Sequence, residues 1–277
     1  MKHNVDIGLV TKPYAMIDYH VHTSLCNHAT GTMEQYVRAA AGKGLATICF
    51  LDHLTFQEGG RTNAMVPREV PMYIYEARRL ARQYRDRITV RVGLETDFSP
   101  RHAKQCREMV DTFDLDVVGS SVHFLDGEDV VSGRSPWASG ELAADAVYLK
   151  YLAVLESMLD YDYFDVVCHL DLPKKFNQRP LPSVLHGFGD VLEKIRENDL
   201  AVELNTSGFH YPVKEAFPSP GLLRRCAQLQ IPLVTGSDAH TPESVGRDFD
   251  RARDLLKTAG YRHLTGFSHR KQEIVPF

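Results

Sequence analysis

No run of about 18 apolar residues occurs in this 277-residue sequence, so no membrane-spanning helix is expected. The segment Met1–Tyr14 lacks the apolar core of a secretory signal, and a cytoplasmic location is the expectation that follows. Cysteine is sparse and unpaired in pattern: Cys26, Cys49, Cys106, Cys168 and Cys226 are scattered, odd in number and without a C-x-x-C pair. That excludes a disulfide framework and a cysteine zinc knuckle, and it suits a reducing compartment. Positive charge is not in excess either, with 32 Lys+Arg against 36 Asp+Glu and a formal charge of −4. The broad basic field of a non-specific nucleic-acid binder is therefore missing, and no nucleic-acid or membrane partner is expected. The strings G-x-S-x-G, H-E-x-x-H and the P-loop are also absent, which removes the usual serine-hydrolase, zincin and NTPase signatures.

What remains is an ordinary globular composition, 43% hydrophobic and 25% charged. Seven short apolar runs read as strands: Met16–Val21, Ala46–Leu51, Thr89–Leu94, Leu115–Val118, Phe164–Val167, Leu200–Leu204 and Ile231–Thr235. Most are continuous in Val, Ile, Leu and Phe, as in parallel strands covered on both faces. Helical periodicity lies between them. Thr32-Met33-Glu34-Gln35 reads as a capping box opening a helix that runs to Gly42, and Thr241-Pro242 reads as a second helix start. Ser183 precedes an apolar stripe at Val184, Leu185, Phe188, Val191, Leu192 and Ile195; further helices are predicted over Glu141–Leu159, Met72–Tyr84, Ala103–Val110 and Gly221–Leu229. Strand–helix units of ~30 residues, with no linker between them, predict one α/β domain over residues 1–277, either a (β/α) barrel or a doubly wound sheet. The irregular stretches Gln57–Pro71 and Leu125–Ser139 follow strand ends and are expected to overhang the face where a barrel keeps its site.

The chain has thirteen histidines, and their positions are not random. His20 and His22 end the first strand, His53 follows the second, Glu95 ends the third, His123 follows the fourth, His169 ends the fifth, and Asp238 and His240 follow the last. A parallel barrel gathers such positions at one mouth. In His20-Val21-His22 the strand period of two turns both imidazoles to the same side. Imidazole and carboxylate are ligands for Zn, Mn and Fe, and one ion needs three or four of them. With His28, the seven histidines plus Glu95 and Asp238 exceed what a single ion uses and suit two or three. Any one histidine alone is more simply a hydrogen-bonded residue; the set as a whole is not. His3, His102, His186, His210, His263 and His269 show no such placement, and Asp18 reads equally as an imidazole partner or an ordinary strand residue.

The motifs Asp18-Tyr19-His20-Val21-His22-Thr23 with His28, Asp52-His53, Gly93-Leu94-Glu95, Ser121-Val122-His123-Phe124, Cys168-His169 and Gly236-Ser237-Asp238-Ala239-His240 resemble, in order, those of the PHP (polymerase and histidinol phosphatase) superfamily. His169-Leu170-Asp171-Leu172-Pro173-Lys174-Lys175-Phe176 and Glu203-Leu204-Asn205-Thr206-Ser207-Gly208 are similar to its histidinol-phosphatase branch. The resemblance implies a distorted (β/α)7 TIM-like barrel with a trinuclear metal centre. By position it implies one ion on His20, His22, Glu95 and Asp238, a second on Glu95, His123 and His169, and a third on His28, His53 and His240. Two departures bear on the substrate. Phe209-His210 stands where the branch commonly has leucine and arginine, and Glu128 follows Leu125-Asp126-Gly127 where it commonly has tryptophan.

The activity expected from this resemblance is hydrolysis of a small phosphomonoester, L-histidinol phosphate in histidine biosynthesis. The alternatives are another small phosphorylated substrate or a PHP domain that binds metal without catalysis. Clustered ions activate water, neutralise the phosphoryl group and stabilise the leaving oxygen. Asp238 is placed to orient the water or take its proton, and a protonated histidine, His22 or His240 among the candidates, to assist the leaving alkoxide. Lys174, Lys175 and Arg134 are the cations expected to meet the phosphate, with His210 beside them. The string Asp114-Leu115-Asp116-Val117-Val118 also matches the D-x-D-x-[TV] of haloacid-dehalogenase phosphatases. It opens a strand instead of following one, and the match is read as fortuitous. The sequence assigns no oligomeric state.

Overall fold

The computed structural model describes residues 16–277, so His3 and the segment Met1–Tyr14 lie outside the described residues. Seven parallel strands form one sheet in the order β1 (Ile17–Val21), β2 (Thr47–Leu54), β3 (Thr89–Asp97), β4 (Val117–Ser121), β7 (Val166–Val167), β8 (Ala201–Asn205) and β9 (Leu233–Gly236), while β5 (Phe124–Leu125) and β6 (Glu128–Asp129) form a separate short hairpin. The sheet curls until its ends meet. The Asp238 N–H donates to the His20 carbonyl at 2.9 Å and the His22 N–H to that of Ala239 at 3.0 Å, with Thr235 Oγ1 donating to the Ile17 carbonyl lower on the seam. The architecture is thus the nearly closed α/β barrel of seven strands that the sequence predicts, with β1 and β9 as its last neighbours.

Around it lie α1 (Met33–Gly42), α2 (Val70–Tyr84), α3 (Ala103–Thr112), α5 (Ala144–Met158), α7 (Gly187–Glu197), α8 (Pro220–Gln228) and α9 (Phe249–Ala259), with two single-turn helices, α4 (Pro136–Ser139) and α6 (Pro182–Leu185). β1, β4, β8 and β9 are buried throughout, so even the polar side chains they carry, among them Asp18, His20 and Glu203, are enclosed. The capping box of α1 is present: Thr32 Oγ1 accepts from the Gln35 N–H, and Gln35 Oε1 accepts from the Thr32 N–H at 2.7 Å. The helix then turns Tyr36, Val37 and Ala40 onto the barrel. Among the described residues no helix is long and apolar enough to cross a membrane.

Two local expectations are corrected, and one element is new. Thr241-Pro242 opens only a 3-10 turn over Pro242–Ser244, because the chain then enters a tight bend with Gly246 and Asp248 in the left-handed region before α9 begins. The stripe after Ser183 is split into α6 and α7, and its first turn is set by Pro182 following Leu181, not by Ser183. A C-terminal antiparallel hairpin, β10 (His263–Ser268) and β11 (Lys271–Pro276), has no counterpart in the sequence reading. It covers the end of the barrel where the strands begin. The Phe267 N–H donates to Tyr19 Oη at 2.7 Å, the Arg270 N–H donates to the Asp116 carbonyl at 2.9 Å, and Arg91 pairs with Glu273. Asp116, from the dehalogenase-like string, is buried at this end and holds Arg78 at 2.7 Å, far from any chemistry at the opposite mouth.

Candidate metal centre

β1, β2, β3, β4 and β7 each end on, or run directly into, one of the expected donors, and the turn after β9 supplies two more; β8 supplies none. The nine donors form one continuous cluster. Glu95, buried at the end of β3, is its hub: Oε1 lies 3.0 Å from His169 Nε2 and 3.7 Å from His123 Nε2, and Oε2 lies 2.7 Å from His53 Nδ1 and 3.4 Å from His20 Nε2. His22 Nε2 stands 3.0 Å from Asp238 Oδ1 and 3.9 Å from Glu95 Oε2. The His240 ring lies 4.1 Å from that of His22 and 4.5 Å from that of His28, which is the most open of the set. His22, His53 and His240 bring one donor atom each within 4.8 Å of the others, and so do His20, His22 and Asp238.

A ring of carboxylates and amides behind the donors fixes their aim. Glu203 Oε1 accepts from His20 Nδ1 at 2.7 Å, leaving Nε2 to face Glu95. Asp52 Oδ1 lies 3.3 Å from His22 Nδ1, while its Oδ2 accepts from the N–H and hydroxyl of Thr23. Asp97 Oδ1 lies 3.6 Å from His123 Nδ1, and His240 Nδ1 donates to the Asp238 carbonyl at 3.0 Å. Asp238 is steadied through Oδ2 by Ser207 Oγ at 3.2 Å and Asn205 Nδ2 at 3.4 Å. Glu203, Asp52, Asp97, Asn205 and Ser207 escaped the sequence reading as supporting groups. For Asp52 the signal was there, since it precedes His53 on a strand and must therefore face the other way from it. Asp18 fits neither of its two readings: it binds no imidazole, and instead accepts from Ser237 N–H and Oγ and from the Gly246 N–H at 2.8 Å, tying β1 to the turns after β9.

The donor set fits cations better than it satisfies itself. His20 Nε2, Glu95 Oε2 and His240 Nε2 are shut off from water with no aligned hydrogen-bond partner, a cost of about 1–3 kcal/mol for each such group. Three orphaned lone-pair positions converging on one mouth are what a metal-binding group requires. His169 and Asp238 also hold positive φ, 27° and 54°, conformations that ordinary side chains avoid and that this mouth imposes on two of its donors.

Protonation agrees. Burial by itself raises a carboxyl pKa, but the imidazoles of His53 and His20 around Glu95, and of His20 and His22 around Asp238, outweigh it and hold both carboxyls well below the usual carboxylate range. Burial lowers His123 well below its ordinary value, and burial with the neighbouring His22 takes His240 down to about 2. At His22 burial is outweighed by the hydrogen bonds to Asp238 and Asp52, and its pKa rises to about 9. Both carboxylates are thus ionised and His123 and His240 neutral, the forms that donate lone pairs to a cation, whereas His22 must give up its proton to bind one.

A cavity of about 380 Å³ opens over the cluster, lined among others by His169, Asp238, His240, Lys175, Tyr211 and Arg247. A smaller one of about 100 Å³ adjoins it, walled by Thr55, Gly60, Asn63, Asp97, Phe124 and Asp129. The two irregular stretches singled out in the sequence both contribute to that wall. Of the four expected substrate cations, the structure brings one to the mouth. Lys175 lines the cavity, its Nζ donating to the Val131 carbonyl at 2.8 Å and lying 4.1 Å from the Tyr211 ring centroid. Lys174 is corrected to a buried structural role: its ammonium lies 3.0 Å from Asp171, 3.3 Å from Glu215 and 2.7 Å from the Ala216 carbonyl, turned away from the mouth. Arg134 is exposed on the loop before α4, and His210 points to the surface in an ion pair of 2.5 Å with Asp248. Neither lines the cavity.

Comparison with known proteins agrees with this geometry. The PHP domain family pattern matches residues 18–207, and a PHP-associated pattern matches residues 223–249. The chain belongs to the PHP family. This PHP protein is 37% identical over 261 residues to a protein of Deinococcus radiodurans named "Probable histidinol-phosphatase", covering 93% of this chain and 98% of that one. It is 30% identical over 258 residues to the histidinol-phosphatase of Bacillus subtilis, covering 84% and 96%. Its fold matches the crystal structure of histidinol phosphate phosphatase from Lactococcus lactis, complexed with zinc, L-histidinol and phosphate. The TM-score is 0.83 at 23% identity, covering 93% of this PHP chain and 98% of that one.

Proposed function

We propose that the protein is a metal-dependent phosphomonoesterase that hydrolyses L-histidinol phosphate to L-histidinol and phosphate. The observation that carries the reading is the convergence of nine imidazole and carboxylate donors under a cavity with a fixed cation, Lys175, on its wall. The substrate follows from full-length likeness to proteins named histidinol-phosphatases. Two or three divalent ions, zinc among the candidates with Mn and Fe, would be held by His20, His22, Glu95 and Asp238, by Glu95, His123 and His169, and by His28, His53 and His240. When bound, such ions supply the Lewis acidity that makes water nucleophilic near neutral pH and neutralises the phosphoryl and leaving oxygens.

The chain's own groups supply position and proton traffic. Asp238 has Oδ2 fixed by Asn205 and Ser207 and Oδ1 beside His22, so its carboxylate is aimed, ionised and able to accept the proton of an attacking water. His240 is kept neutral with Nε2 as a lone-pair donor, so it serves as a ligand and not as the acid for the leaving alkoxide. Lys175 offers its ammonium to the phosphate. Residues of the loops 57–71 and 125–139 wall the smaller cavity, where the organic half of the substrate fits.

Two measurements test this. Purified protein should retain at least two ions per chain after gentle dialysis, and kcat/KM for L-histidinol phosphate should exceed that for a panel of small phosphomonoesters by orders of magnitude. A flat substrate profile would move the assignment to another small phosphorylated metabolite, the reading favoured by the displacement of His210 from the mouth. Absence of ions together with absence of activity under added Zn, Mn or Fe would remove the phosphatase reading altogether.

A further inference from the structure

The mouth carries a second fixed cation that no sequence pattern pointed to. Arg247 lies in the bend between β9 and α9 and lines the same cavity as Lys175, His169 and His240. Among the described residues its guanidinium has no hydrogen-bond or ion-pair partner, and Nε is shut off from water. An enclosed Nε–H without an acceptor is costly, and an anion in the cavity would supply the acceptor it lacks.

The backbone around it is anchored on both sides. Gly246 and Asp248 both adopt left-handed conformations, φ 62° and 60°, which turn the single residue between them toward the cavity. The Gly246 N–H donates to Asp18 Oδ2 at 2.8 Å, the Arg247 carbonyl accepts from Thr206 Oγ1 at 2.8 Å, and Asp248 pairs with His210 at 2.5 Å. Three consecutive residues are thus tied to β1 and to the turn that follows β8. His210, turned outward, acts as a strut for this bend. Tyr211 lines the cavity with both cations: the Lys175 ammonium sits over its ring, and the Arg247 charge opposes, in part, the rise of its phenol pKa that burial and Asp238 cause.

We propose that Arg247 binds the phosphoryl group of the substrate, working with Lys175 as a two-cation clamp on the wall of the larger cavity. The assignment rests on the phosphomonoesterase reading and names a residue for it. A guanidinium suits the task because its planar fork can donate two parallel hydrogen bonds to non-bridging phosphate oxygens, which an ammonium cannot.

The test compares metal-loaded wild type, R247Q and R247K for binding of inorganic phosphate and of L-histidinol by calorimetry, alongside KM for the phosphomonoester. R247Q should weaken phosphate binding and raise KM at least tenfold, leaving metal content and L-histidinol affinity unchanged, with partial recovery in R247K. Equal loss for both ligands would mark a merely structural arginine and overturn the proposal, as would phosphate affinity unchanged in R247Q. Circular dichroism melts of both variants identify a folding failure, in which case R247K alone decides: phosphate affinity equal to wild type sinks the clamp. If the wild type binds phosphate through Arg247 but hydrolyses no phosphomonoester, the functional reading falls while the clamp stands.

Discussion

Glu203 aims His20 and positions the backbone of His169 at the same time: Oε1 accepts from His20 Nδ1 at 2.7 Å and Oε2 from the His169 N–H at 2.8 Å. One buried carboxylate on β8 therefore sets one donor on β1 and another just after β7, a ligand-orienting role of the kind that tunes metal affinity. Replacing it with glutamine keeps the shape but presents an amide N–H toward a ring or backbone donor. E203Q is expected to weaken zinc binding about 10–100-fold, measured by competition with a chromophoric chelator. Unchanged affinity would remove Glu203 from the centre.

The same carboxylate makes Gly236 indispensable. A Cβ there would stand 2.0 Å from Glu203 Oε1 and 2.6 Å from the His20 Cβ, neither of which can retreat. G236A should lose about 1–3 kcal/mol of stability from overpacking and lose metal affinity as well, by denaturant titration and metal analysis of the soluble fraction. A stable, fully loaded G236A would contradict the packing described.

The adjacent lysines should separate cleanly by substitution. Lys174 is buried in an ion cluster with Asp171 and Glu215, and removing one partner of a buried pair costs about 3–5 kcal/mol. K174M is expected to lower the denaturation midpoint while the KM of the surviving folded enzyme stays near wild type. K175M should do the reverse, raising KM with little change in stability. A KM effect confined to K174M would invert this assignment.

Lys175 also predicts a pH limb. Burial lowers its ammonium below the ordinary 10.5, an effect that the charges of Asp238 and Asp129 offset only in part. Its charge, and the phosphate affinity it contributes, is present below the lowered pKa and lost as pH rises through it. KM should therefore climb at a pH below that of a solvated lysine, and K175R, whose guanidinium stays charged, should abolish the climb. An identical alkaline profile in K175R would assign the limb to another group.

Ion removal should lower thermal stability as well as activity. The orphaned atoms of His20, Glu95 and His240 lose their compensation when the ions leave, and a ligand bound only to the folded state stabilises it by mass action, about 4 kcal/mol at a thousandfold excess over Kd. A melting temperature unchanged by chelation, in protein shown to be metal-free, would refute the coupling.

The barrel and its donors were legible in the sequence because both follow from strand ends: continuous apolar runs mark the strands, and a residue at a C-terminal end has only one mouth to face. What stayed hidden depends on turns. Lys174 and Lys175 lie in a 3-10 turn, where neighbours project about 120° apart, so the sequence shows that only one can face the mouth but not which. Arg247 is aimed by left-handed residues on both sides, and Asp248, the one that is not glycine, carries no unambiguous signal for that conformation. The C-terminal hairpin turns on His269 and Arg270, both at positive φ, where the familiar asparagine–glycine pair would have announced it.

The seam between β1 and β9 has a consequence for how the protein is made. Its hydrogen bonds join His20 and His22 to Asp238 and Ala239, residues separated by nearly the whole length of the chain. A nascent chain emerging from the ribosome presents the first two imidazoles well before their partners across the seam, since His22 and Asp238 are 216 residues apart. The full donor set therefore cannot exist on a polypeptide that stops short of His240, and the complete centre can form only after that residue has been made. Any nonsense product ending before His240 is predicted to carry no partial activity, however much of the sheet it retains.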